Sequence, residues 1–353
     1  MKKLIYIYLN VLFSLLTIYA CKPKDGYIDS ERFTLADFIK IDTLHSQTLL
    51  FDEPVLRPIK SLVVDSFLFL INFQTEYQVD RYNLVTKKKT GELISFGSGP
   101  NEIIAAIAIS ATDSNVMVFD GQSRRALIYD KHSFCFDAEP EPVHTISFTD
   151  YIDNILMTPD QQIISTARNK DLKKISTFGI TGELLNSFGE YPMSQRVNAD
   201  TFELSGAYPC TIGYNPSNKT IVAGYKMVDL IEIYDESGNL QKRIHGPDGF
   251  YPSVKTINDG QMRRVSSDQD SKFAYSCPVI YNEDIYILYS GKRINSEEYK
   301  SHMDKLLVFD KSGNPKRAYH LKTPIFNFTI DDDGILYGIT DTPEFQIVQM
   351  QPG

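Results

Sequence analysis

Short apolar stretches alternate along this chain with tight polar turns, and within the stretches the apolar positions repeat every second residue. The recurring unit is a hairpin: an apolar run, a turn, then a second run rich in β-branched and aromatic residues. Six copies are visible. They are SLVVDSFLFLI (Ser61–Ile71), AIAISATDSNVMVFD (Ala106–Asp120), ILMTPDQQIISTA (Ile155–Ala167), TIGYNPSNKTIVAGY (Thr211–Tyr225), VIYNEDIYILYS (Val279–Ser290) and FNFTIDDDGILYGIT (Phe326–Thr340). Their turn residues Asp65, Asp113, Asp160, Ser217, Glu283 and Asp332 stand 48, 47, 57, 66 and 49 positions apart. A spacing near 48, stretched in two units, holds four strands of about 5–6 residues with short connections. No unit contains the long helical period that a βαβ repeat requires.

The remaining strands of each unit carry their own marks. A third strand ends in Tyr82-Asn83, Tyr129-Asp130, Phe178-Gly179, Tyr234-Asp235 or Phe309-Asp310, and glycine turns follow several of them, as in Glu236–Gly238 and Lys311–Gly313. A fourth strand then begins. This explains why GELISFG (Gly91–Gly97) is nearly repeated as GELLNSFG (Gly182–Gly189): both phrases start the outer strand of a unit. Six such units arranged radially predict an all-β fold, a six-bladed β-propeller of four-stranded antiparallel blades. The last unit offers only a third strand, Phe345–Met350, before the chain ends. An N-terminal strand is therefore expected to close the last blade, and Phe38–Asp42, with Ile39 and Ile41 on one face, is the predicted closing strand.

The amino end has a different character. Lys2 and Lys3 precede the mostly apolar run Leu4–Tyr19, which is shorter than the roughly 20 residues of a membrane-spanning helix. Ile18-Tyr19-Ala20-Cys21 places a small residue before a cysteine, as a lipoprotein cleavage site does. The predicted organisation is a signal peptide over 1–20, a lipidated tether over 21–32 beginning at Cys21, and the propeller over 33–353. One acidic residue follows Cys21 in Lys22–Gly26, short of the acidic cluster of a surface-export signal, so the expected place is the periplasmic side of the outer membrane. The net charge is −9, which makes the chain a poor candidate for nucleic acid, whose phosphates need a basic surface. Cys135, Cys210 and Cys277 are an odd, scattered set with no metal spacing; they read as buried apolar residues, with a Cys210–Cys277 bridge left open.

With these features, the chain resembles the TolB-like six-bladed propeller lipoproteins of Bacteroides-type bacteria. The resemblance rests on the cysteine after the apolar leader, the six hairpins, the aromatic-Asp strand ends and FGSGPNE (Phe96–Glu102). That stretch is similar to the GxGPxE connector between the first two blades of the group, with Asn101 where a glycine is common. The resemblance implies the fold and an association with nutrient-uptake or envelope systems, and no particular reaction.

Long insertions fall at Glu190–Gly206, Gly246–Phe273 and Gly291–Asp304. Propeller topology sends all three to one face, together with the loops between second and third strands, and long loops on a rigid scaffold are where binding concentrates. That face carries Arg124, Arg125, Arg168, Lys226 and Arg293, with Lys170, Lys292, Arg263 and Arg264. These residues are the candidate ligand or partner face, a cationic rim for an envelope protein or for an anionic glycan or peptide. Tyr214, Tyr225, Phe250 and Tyr251 are the aromatics available for stacking in a chain without tryptophan. Catalytic motifs are absent. Gly97–Glu102 lacks a dinucleotide βαβ context, Asp331–Gly334 lacks the closing acid of a calcium loop, and the six histidines form no HxxxH pair. The alternative is a calcium-dependent hydrolase of the lactonase type, with an axial metal held by Glu102, Asp153, Asn154 and Asn327. Otherwise no cofactor is expected.

Overall fold

A computed structural model describes residues 26–168, 173–192, 201–258, 260, 263–294 and 303–352. The predicted anchor at Cys21 and the predicted leader before it lie outside the described residues, as do Lys170 and parts of all three insertions. Among the described residues, no helix is long and apolar enough to cross a membrane.

All six predicted hairpins form the two inner strands of a blade. The innermost strands are Pro58–Val64, Ala106–Ala111, Tyr151–Met157, Cys210–Asn215, Tyr275–Tyr281 and Asn327–Ile330, and each pairs with the strand that follows it in an antiparallel ladder. Second strands are the most buried, as Phe67–Asn72 shows with every residue inside. The two twin phrases do lie on outer strands, Lys88–Ser95 and Leu184–Phe188. Only the second phrase ends on a left-handed glycine, Gly189 with φ 81°. Gly97 serves a different need, because a Cβ there would sit 2.0 Å from the Glu102 carboxylate. Asp331–Gly334 is the turn expected: Asp331 accepts N–H bonds from Asp333 and Ile335, and Gly334 has φ 82°.

The apolar side chains divide into six clusters, one at each junction between neighbouring blades. Phe69 and Leu127 join blades 1 and 2, for example, and Leu68 and Ile339 join blades 1 and 6. A blade therefore has no complete core of its own, and the ring must close for the sixth cluster to exist.

Closure comes from the amino end, but not through the predicted segment. Gln47–Leu49 supplies the fourth strand of blade 6, with Gln47 opposite Gln349. Lys40–Leu44 instead lies parallel to Pro315–Ile325 as a fifth strand on blade 5, and Glu31–Arg32 does the same on blade 4. The reason is visible in Ile39 and Ile41, which are 85% and 57% exposed: their alternation faces solvent at a blade edge, not a core. The arm also docks earlier than a tether beginning at Cys21 and ending at residue 32 would. Tyr27 is buried between Tyr208, His245 and Tyr251, and Arg243 donates to the Ile28 carbonyl at 2.6 Å. Residues 26–49 thus form a belt over the outer edges of blades 4, 5 and 6.

The insertions after blades 3 and 4 pack on one another. A short helix, Thr201–Ala207, meets the hairpin of Val254–Asn258 and Arg263–Ser267, with the Thr256 hydroxyl donating to Glu203 at 2.5 Å. Gly206 abuts Val265 so closely that a Cβ would come within 2.4 Å of that side chain. Blades 4 and 5 are in similar contact at the axis. A Cβ on Gly213 would lie 2.7 Å from the Pro278 carbonyl oxygen, which is backbone and cannot step aside. Gly213→Ala is expected to cost about 1–3 kcal/mol of unfolding free energy, read from urea denaturation midpoints.

Candidate functional site: the axis and the insertion-bearing face

The six innermost strands enclose an axial cavity of about 330 Å³. Its wall is mainly apolar, with Leu62, Ile109, Leu156, Ile212, Val279 and Phe328 each contributed by a different blade. Side chains of the same strands fasten the blades to one another. The Asn327 amide oxygen accepts from the Ser61 N–H at 3.0 Å, and that of Asn154 accepts from Ile212 at 3.1 Å. Ser110 accepts from Met157, and Thr329 from Val63. Cys277, on a bulge with φ 57°, donates to the Phe328 carbonyl and accepts from the Asn327 amide at 3.2 Å. These bonds substitute for a backbone ladder that diverging inner strands cannot make. Asn327→Ala would orphan the half-buried Ser61 N–H, and it is expected to cost about 1–3 kcal/mol by the same denaturation measurement.

This arrangement does not bring the four residues of the expected metal site together. Asn154 and Asn327 reach the axis, yet their amide oxygens face the N–H groups of neighbouring blades. Glu102 is elsewhere: it sits in the connector between blades 1 and 2, accepts from the Gly99 N–H at 2.7 Å and covers Gly97. Asp153 lies outside the apolar wall, beside the small recess lined by Lys174, Tyr208 and Cys210. Among the described residues no carboxylate lines the cavity, and no cluster of three His, Cys, Asp or Glu side chains is placed to hold a metal.

The cationic rim also resolves into separate fates. Arg125 points back into its own scaffold, donating to the carbonyls of Gly99 and Glu102 at 3.2 and 2.8 Å, so it holds a connector. Arg293 pairs with Asp270 at 3.3 Å, and Lys292 with Asp304 at 3.1 Å. The Arg168 side chain lies outside what the structure describes, as does that of Arg263. Arg124 is exposed on the face and bonded to the Thr149 carbonyl. Lys226 stands apart from this group. It leaves the second strand of blade 4, its N–H bonded to Pro209 and its carbonyl to Ala274 of blade 5. Burial lowers the pKa of its ammonium and Lys60 lowers it further, while Asp153 acts in the opposite sense.

Sequence reading passed over several groups that the fold brings forward. Lys60 projects from the inner strand of blade 1 into the cavity wall. Phe73, Phe96 and Tyr151, all on the insertion-bearing face, are 50%, 58% and 60% exposed, and Tyr77 stands near them on blade 1. A lysine inside an apolar strand and an aromatic inside a connector were the available signals. Cys210 and Cys277 are both free thiols, which closes the question of a bridge. Burial pushes the Cys210 thiol up to about 12.

The structure is similar to that of a DUF4221-family member from Bacteroides vulgatus, with a TM-score of 0.56 at 11% identity, covering 88% of this chain and 96% of that one. It is also similar to a Bacteroides fragilis protein named as exported, with a TM-score of 0.54 at 9% identity, covering 91% of this chain and 99% of the other. At such identities the likeness concerns the fold. No curated protein matches the chain in sequence. The model of the TolB-like 6-blade propeller-like family matches residues 34–333, nearly the whole described ring, and the chain belongs to that family.

Proposed function

We propose that the protein is an extracytoplasmic binding module, anchored by lipid at Cys21 on the periplasmic side of the outer membrane, that receives a protein partner on its insertion-bearing face. The observation that carries this reading is that Phe73, Phe96 and Tyr151 stand exposed at strand ends on the same face as the exposed Arg124. Aromatic and arginine side chains supply most of the energy in protein interfaces, and large apolar side chains concentrated on one surface mark such sites. The ring behind them is held by its six interblade clusters, so the surface is presented without reorganisation, which favours affinity. The leader and Cys21 support export and anchoring, and the acidic balance of the chain fits a partner other than nucleic acid.

The test is cross-linking and recovery from intact envelopes. Wild-type protein is compared with a variant carrying Phe73→Ser, Phe96→Ser and Tyr151→Ser, and with Arg124→Glu alone. A specific partner recovered with wild type and reduced at least tenfold with the triple variant is the expected result. Identical recovery from the two samples, or none from either, would sink the reading.

A further inference from the structure

The axial cavity has an apolar body and a single lysine in its wall, a pairing that the partner surface does not use. Lys60 lies in its wall, and Lys226, outside that wall, is near enough for the two ammonium groups to repel. Neither side chain makes a hydrogen bond or ion pair among the described residues. Asp153 is the carboxylate that acts on Lys226, so the three side chains together carry one surplus positive charge. A second feature points to an occupant. Thr211 lines the cavity and is only 4% exposed, yet its hydroxyl has no hydrogen-bond partner. Buried polar groups left unpaired are uncommon and call for an explanation. Below this level the wall is formed by Leu62, Ile109, Leu156 and Val279, none of which competes with water for a polar ligand. The volume lies at the lower end of the roughly 300–1,000 Å³ of small-molecule pockets, where a few polar groups orient a ligand that apolar walls enclose.

We propose that the axial cavity binds a small monoanionic acid with an apolar body, its carboxylate between Lys60 and Lys226 and its body against the inner-strand side chains. One surplus charge matches a monoanion better than a phosphate dianion. The Thr211 hydroxyl donates to the same carboxylate. Two ammonium groups held together in a partly buried place repel each other, and an anion between them relieves that repulsion.

Octanoate and 4-phenylbutyrate are the probes, titrated by calorimetry into the full chain, with octylammonium as the charge-reversed control. The half-buried Cys277 lines the cavity and gives an independent readout, since a bound acid covers it. At least one acid is expected to bind and to slow alkylation of Cys277, located by peptide mass spectrometry, while octylammonium does neither. Lys60→Gln with Lys226→Gln should weaken that binding at least tenfold, and Lys60→Arg with Lys226→Arg should retain it, which separates loss of charge from loss of fold. The proposal is overturned if neither acid binds, if octylammonium binds equally well, or if the glutamine pair binds as wild type does. Partner recovery through Phe73, Phe96 and Tyr151 is unaffected by any of these results, so the two readings fail separately.

Discussion

Replacing Glu232 with glutamine is expected to lower the unfolding free energy by about 3–5 kcal/mol, the cost of removing one member of a buried charge group and stranding the others. Glu232 is fully buried on the third strand of blade 4, and it gathers five donors. Lys174 approaches at 2.5 Å, Arg243 donates twice at 2.7 Å, and the hydroxyls of Tyr225 and Tyr234 complete the set. Burial alone would raise the pKa of this carboxyl, but Lys174 and Arg243 outweigh it and hold the group at about 2, against an ordinary 4.5. The sign follows. A carboxyl whose folded pKa is depressed stabilises fully above its unfolded pKa and loses that contribution as pH falls toward the folded one. The gap in stability between wild type and Glu232→Gln should therefore be widest above about pH 4.5 and shrink as pH falls toward 2. Urea unfolding at pH 7 and pH 3 measures it. By contrast Lys219→Ala, which breaks two exposed ion pairs with Asp160 and Glu236, should leave the midpoint nearly where it was. Equal effects of the two substitutions would show that the buried group carries no special weight.

The second large effect concerns the belt. A chain beginning at residue 46 keeps Gln47–Leu49 and so closes blade 6, but it loses the fifth strands of blades 4 and 5. It also loses the aromatic packing of Phe33 and Phe38 against Phe309, whose ring centroids lie 5.4 Å from each. That shortened chain is expected to fold with a reduced denaturation midpoint; Phe33→Ala alone should cost about 3–5 kcal/mol. A chain beginning at residue 50 is a different matter. It lacks the fourth strand of blade 6 and leaves Gln346–Met350 as an open edge, next to the cluster of Leu68, Tyr337, Ile339 and Ile347. Open apolar edges recruit other chains, so this chain should elute as aggregate in size-exclusion chromatography, while the one from residue 46 elutes as monomer. Two monomeric products with equal midpoints would mean that closure contributes little.

The blades were legible because each inner hairpin repeats one pattern: two apolar runs around an Asp, Asn or Gly turn. Nothing comparable distinguishes one outer edge from another. Ile39 and Ile41 alternate as a closing strand would, yet the same alternation suits a fifth strand lying against solvent, and only the Gln47–Gln349 register decides between them. The site was legible in part. Local sequence shows that a loop has a cation and is silent on what it meets: Arg125 turns to Gly99, Arg293 finds Asp270, and Lys226 feels the charge of Lys60 from another blade. Glu232 was hidden for the same reason, since Lys174 stands 58 positions away. Asn154 and Asn327 line the axial cavity, where their polarity serves the junctions between blades.

The pairing of Gln47 with Gln349 also sets an order of events in time. A nascent chain emerges amino end first, and Gln47–Leu49 has no partner until Gln346–Met350 has been made. Contacts so distant in sequence form late and slowly. The first five blades can stack in the order of their synthesis, while residues 47–49 wait as an unpaired strand for the sixth. No closed ring can therefore arise before Gln346–Met350 has followed, and every intermediate up to that point keeps an open edge.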